Sequence, residues 1–249
     1  MQGSMNILVA LVAAYLVGSI SFAVVFSRVM GLADPRSYGS KNPGATNVLR
    51  SGNKAAALLT LAFDALKGYV PVLLVLMLGP RYGLGETTAA FAGLAAFVGH
   101  LWPAFFRFKG GKGVATAAGV IMAVNPGLGL CTLVSFGLIV AFSRYVSLAS
   151  IVAAVFAPFY QALIWGVEPG ILALIVMSLL LIWRHEGNIK KLLAGTENKL
   201  GQKPVEPVVH VGEHAPVHEH KHTHKHGNPS NAAHHAPHGA SAKHKKGHS

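Results

Sequence analysis

The chain has 249 residues, 52% of them apolar and only 12% charged, with a net charge of +12 and a pI near 10.0. A soluble domain carries about 25% charged residues, so this composition excludes an ordinary soluble fold and points to an integral membrane protein. The single cysteine, Cys131, excludes a disulfide framework within the chain and a zinc–cysteine cluster, and it reads as packing within an apolar run.

In chain order, residues 1–4 precede a second methionine, Met5, and read as an appended scar outside the fold. Residues 6–29 are too long and apolar for a signal peptide and predict a retained first span. Further spans are predicted at 55–78, 87–106, 114–124, 127–142, 146–165 and 169–183. The fold class is therefore an all-α polytopic bundle of about seven helices, two of them short. The short pair turns at Asn125-Pro-Gly127, with roughly 14 residues or about 21 Å per arm. Such arms form a re-entrant hairpin or span a locally thinned bilayer.

The basic residues sort onto one side. Arg28, Arg36, Lys41, Arg50 and Lys54 fall after the first span; Arg107, Lys109 and Lys112 after the third; Arg144 after the fifth; Arg184, Lys190 and Lys191 after the seventh. The opposite loops hold only Arg81. The positive side is cytoplasmic, which predicts an inner-membrane protein with its N-terminus outside and its C-terminus inside. It also accounts for much of the basic charge without a nucleic-acid partner.

Residues 5–203 thus form the transmembrane domain. Residues 204–249 hold twelve of the fourteen histidines among Lys, Pro, Gly and Ser, and predict a disordered cytoplasmic tail. The run from His218 to His226 could hold a soft divalent metal, although a solubilising or lipid-surface tail explains it as well. No metal site or cofactor is expected in the membrane domain.

Three segments on the basic side carry polar residues with no evident packing role. In 38–50, Gly39, Ser40, Gly44 and Ala45 admit close approach of a ligand, Ser40, Asn42, Thr46 and Asn47 offer hydrogen bonds, and Arg50 offers a forked cation. An anion cradle and an ordinary capped Asn-Pro-Gly turn fit this composition equally. In 108–116, Lys109, Gly110, Gly111, Lys112 and Gly113 can present N–H groups and ammonium groups to a phosphate, although Gly113 after Lys112 breaks the P-loop pattern. In 183–191, His185 and Asn188 share a helix face if the helix continues through Gly187. His100 reads instead as a packed or water-bonded side chain.

Together, Gly18-Ser-Ile-Ser-Phe22, Gly39-Ser-x-Asn-Pro-Gly-Ala-Thr-Asn-Val-Leu-Arg50, Asp64-x-x-Lys-Gly68, Gly99-His-x-x-Pro103, Phe108-Lys-Gly-Gly-Lys-Gly-Val-Ala-Thr116, Ser147-Leu-x-Ser150 and Arg184-His-x-x-Asn-Ile189 resemble the bacterial acyl-phosphate:glycerol-3-phosphate acyltransferases. The resemblance runs in order over about 6–201. It departs at Ser21, where proline is expected, and in the His-rich tail. It implies a seven-span enzyme that moves a fatty acyl group from acyl phosphate to the 1-hydroxyl of sn-glycerol 3-phosphate, giving lysophosphatidic acid and phosphate in the first acylation of phospholipid biosynthesis.

The resemblance implies that Ser40, Asn42, Gly44, Thr46, Asn47 and Arg50 hold one phosphate and Lys109 to Gly113 the other, with Arg144 in the phosphate-binding set. His185 and Asn188 would hold the glycerol hydroxyls as the catalytic pair. Membrane lipid and the enzyme supplying acyl phosphate are the implied partners. No Asp or Glu is expected to orient His185, and substrate phosphate is favoured as the base. A small-anion transporter is the rival class, but it calls for polarity on both faces, and the outer loops are short and nearly featureless.

Overall fold

A computed structural model describes residues 2–202. All their regular structure is helical: α1 (Gln2–Gly18), α2 (Phe22–Val29), α3 (Ala45–Leu49), α4 (Lys54–Leu78), α5 (Glu86–Leu101), α6 (Val114–Val124), α7 (Pro126–Ser143), α8 (Val146–Tyr160), α9 (Ile171–Arg184) and α10 (Glu186–Leu193). Helix α1 begins at Gln2, so residues 2–4 of the segment read as a scar are helical and continuous with the first span. The His-rich tail lies outside the described residues.

By length and composition five segments can cross a membrane, or six if the bent α9–α10 pair counts as one. The expected count of about seven adds the shorter apolar helix α6 to these six. Of the expected short pair only α6 is short, at 11 residues or about 16 Å, whereas α7 has 18 residues or about 27 Å, close to the roughly 30 Å of the hydrocarbon core. Asn125 caps α7 by accepting from Leu128 N at 3.1 Å, and Pro126 follows at the first helical position. A Cβ on Gly127 would come within 2.8 Å of the Trp165 indole, at the far end of the 20-residue Val146–Trp165 segment. Short α6 therefore still carries the chain from one end of the bundle to the other.

Small residues set the packing, because helices in lipid gain from close approach rather than from leaving water. A Cβ on Gly18 would overlap the Ala96 backbone, joining α1 to α5, and one on Gly119 would overlap the Ala65 carbonyl, joining α6 to α4. Around these seams Val72, Phe97, Leu101, Val120 and Leu128 form a fully buried core.

The first span breaks between α1 and α2, with Ser21 in extended backbone ahead of α2. Breaking a helix in lipid frees carbonyls that water cannot satisfy. Lys67 answers at that point, donating to the Ile20 carbonyl at 2.7 Å while pairing with Asp64 at 2.7 Å. An unpaired charge would be prohibitively costly at this depth, so the two residues come together, one helical turn apart.

Candidate active site

One end of the bundle encloses a cavity of about 600 Å³. Its rim is polar: Ser40, Asn42, Thr46 and Arg50 come from the α2–α4 connection, Lys112 and Gly113 from the α5–α6 loop, Ser147 from α8, and His185, Asn188 and Glu197 from the end of the described chain. Its wall is apolar, formed by Leu61 of α4, Ile121 of α6, Leu133 and Phe136 of α7, and Met177 and Leu181 of α9. Leu61 and Leu133 are 49% and 42% exposed, so this wall opens toward the lipid-facing surface.

The α2–α4 connection is organised by its own side chains. Buried Asn47 accepts from Ser40 N at 3.0 Å and donates to the carbonyls of Pro35 at 2.6 Å and Tyr38 at 3.2 Å. With these contacts its amide folds the loop that presents Ser40 and Asn42. Arg36 grips Asp34 through two nitrogens, at 3.0 and 2.6 Å, steadying the approach to that loop. Thr46 and Arg50 are exposed at the rim.

The glycines of the α5–α6 loop answer to packing. A Cβ on Gly110 would overlap the His100 carbonyl, and one on Gly111 would overlap the His100 ring. Gly113 has a left-handed φ of 82° and abuts Phe97 where α6 begins. These contacts alone account for the run of glycines. Lys112 lines the cavity, whereas Lys109 is exposed and, with Gly110 and Gly111, stands outside the lining. Arg144 is exposed too, closing α7 with a φ of 61° and donating to Leu200 O at 2.9 Å.

Helix α9 ends at Arg184 and α10 departs at 56° to it, with His185 at the bend. The helix thus resumes through Gly187 but not in line, and Asn188 N–H returns to the His185 carbonyl at 2.8 Å. The His185 ring is 2% exposed, with Nδ1 2.8 Å from the Leu181 carbonyl. A carbonyl only accepts, so Nδ1 carries the proton and Nε2 keeps a lone pair. Burial, reinforced by the Lys112 charge, lowers this imidazole to about 4, so it is neutral at pH 7.

Asn188 accepts from the Lys112 ammonium and donates to Glu197 at 2.6 Å, and Glu197 also accepts from Ser147 at 2.7 Å. Burial lowers Lys112 to about 8 against the opposing pull of Glu197. Glu197 and Ser147 were not among the expected site residues. The signal for Glu197 was a lone acid in the otherwise basic stretch 187–203. Among the described residues no carboxylate hydrogen-bonds to His185; Glu197 accepts from Asn188 instead.

His100 is packed, as expected, with Nδ1 3.2 Å from Thr116 Oγ1, yet it also lines the cavity beside Asp64. The charged Asp64–Lys67 pair near this apolar wall is the other feature that local spacing did not assign.

A rim of cations and hydrogen-bond donors leading into an apolar, lipid-facing wall defines an integral membrane enzyme of lipid chemistry rather than a soluble anion binder. Comparison with known proteins is specific. The model of the glycerol-3-phosphate acyltransferase family matches residues 8–195. Glycerol-3-phosphate acyltransferases of Paraburkholderia phytofirmans and Burkholderia pseudomallei are 60% identical over 198 residues and 61% over 202, covering 80% of this chain and 92% and 98% of theirs. The crystal structure of an integral membrane glycerol 3-phosphate acyltransferase in its glycerol 3-phosphate form superposes with a TM-score of 0.73 at 40% identity, covering 79% of this chain and 96% of that one. Its lysophosphatidic acid form gives 0.72 at 39%. The chain belongs to the glycerol-3-phosphate acyltransferase family and is a multi-pass membrane acyltransferase.

Proposed function

We propose that the protein transfers a fatty acyl group from acyl phosphate to the 1-hydroxyl of sn-glycerol 3-phosphate at the cytoplasmic face of the inner membrane, releasing lysophosphatidic acid and inorganic phosphate. The observation that carries this reading is the two-part cavity, with cations at the rim and an apolar wall open toward lipid. Two phosphate-bearing substrates, one with a chain that stays in the bilayer, need both halves. Family membership, and the glycerol 3-phosphate and lysophosphatidic acid forms of the related structure, support the acceptor and product.

In this reading Ser40, Asn42, Arg50 and Lys112 hold phosphate oxygens, while His185 and Asn188 hold the glycerol hydroxyls. The attacking hydroxyl oxygen bonds to the acyl carbon, the bond from that carbon to the phosphate oxygen breaks, and phosphate leaves. Acyl phosphate is an activated mixed anhydride, so positioning and charge neutralisation supply most of the acceleration. An imidazole near 4 is a weak base, which favours a phosphate oxygen of the substrate, with a second pKa of about 6, as the proton's destination.

Purified protein given glycerol 3-phosphate with either acyl phosphate or acyl-CoA tests the donor. Turnover with acyl phosphate and none with acyl-CoA is expected. Comparable rates with both would overturn the assignment.

A further inference from the structure

Arg184 is the last residue of α9, and its side chain does not line the cavity. It reaches back 73 and 74 residues to the α5–α6 loop, where Nε donates to Gly111 O at 3.2 Å and Nη2 donates to Gly110 O at 3.1 Å and Gly111 O at 3.0 Å. Three hydrogen bonds from one guanidinium thus fall on two consecutive backbone carbonyls. In a trans peptide the carbonyl and the following N–H point in opposite directions, so a carbonyl turned to Arg184 turns the next N–H away from it. The Gly111 N–H is taken by His100 O at 3.2 Å. The Lys112 N–H has no acceptor among the described residues.

We propose that Arg184 is a positioning residue for acyl transfer: its fork on the Gly110 and Gly111 carbonyls sets the peptide plane and register from which Lys112 meets a substrate phosphate. This rests on the acyl-transfer reading above. The arrangement ties the loop to the α9–α10 bend, where His185 sits and beyond which the first turn of α10 carries Asn188, so the phosphate-side and hydroxyl-side groups hold a fixed spacing. The Lys112–Asn188 hydrogen bond closes the same link from the cavity side. Two carbonyls in a row need a rigid, planar set of donors, which guanidinium has and ammonium lacks. If Arg184 served only as a positive charge at the membrane boundary, lysine would replace it without loss.

The test compares R184K and R184Q with the parent enzyme in detergent, reading KM for both substrates, kcat, the inhibition constant of inorganic phosphate and the thermal midpoint. In both variants the inhibition constant of phosphate, and KM for at least one substrate, should rise about ten- to a hundredfold, as for a lost charge-assisted contact, while kcat moves much less. Kinetics of R184K equal to the parent's would overturn the proposal. A lowered thermal midpoint with unchanged KM and phosphate inhibition would overturn it as well, since the role would then be structural. If R184Q does not fold, R184K decides alone. Absence of any turnover by the parent with acyl phosphate would overturn the functional reading and this inference with it.

Discussion

The Lys112 ammonium donates to the side-chain oxygen of Asn188, 76 residues further along, and the amide nitrogen of the same Asn188 donates to Glu197 at 2.6 Å. This relay fixes which face of the amide meets the cation. It also holds a lysine, lowered by burial to about 8, which in the proposed reading must stay charged to bind phosphate.

Lys112 is mostly protonated below pH 8 and loses its charge as pH rises through that value. KM for a phosphate substrate should therefore rise above about pH 8, and Lys112→Arg should move this limb to higher pH. A KM that stays flat from pH 7 to about 10 in the parent enzyme would contradict this account.

His185→Asn keeps a hydrogen-bonding group and removes the titratable one. With the imidazole near 4 and substrate phosphate as the base, the variant should lose mainly acceptor affinity and keep the rising limb of kcat against pH near 6. Loss of that limb, with a rate several orders of magnitude lower at saturating glycerol 3-phosphate, would make His185 the general base.

Asn47 and Arg50 sit three residues apart in one motif and should fail differently. Asn47→Ala strips partners from Ser40 N–H and from the Pro35 and Tyr38 carbonyls, costing about 1–3 kcal/mol of stability, read as a lower thermal midpoint. Exposed Arg50→Ala should leave the midpoint unchanged and lower kcat/KM about ten- to a hundredfold. Equal effects of the two on both measurements would undo the distinction.

Ser40 and Arg81 should lie on opposite sides of the membrane, with Ser40 cytoplasmic. Single cysteines at the two positions, in a Cys131→Ser background, should label from opposite sides with an impermeant maleimide. Labelling of both from one side would refute the orientation.

Much of this was legible in the sequence because it is local. Long apolar windows announced the spans, and the polar residues stranded among them marked the segments that meet at the cavity. The glycines misled in part, since Gly110 and Gly111 answer to the His100 backbone and ring, a contact that no spacing encodes. Lys67 filling the break at Ile20, 47 residues away, was hidden for the same reason, although two ionisable residues one turn apart in an apolar helix are a signal in themselves. Glu197 belongs to a segment without period or motif, and only its docking against Ser147 and Asn188 brings it to the site.

The most direct measurement follows carbon and phosphorus together in a single reaction of purified protein with acyl phosphate and sn-glycerol 3-phosphate. The account predicts one lysophosphatidic acid acylated at the 1-position and one inorganic phosphate for each acyl phosphate consumed. Release of phosphate and free fatty acid without an acylated glycerol phosphate, or formation of lysophosphatidic acid only when acyl-CoA replaces acyl phosphate, would contradict it.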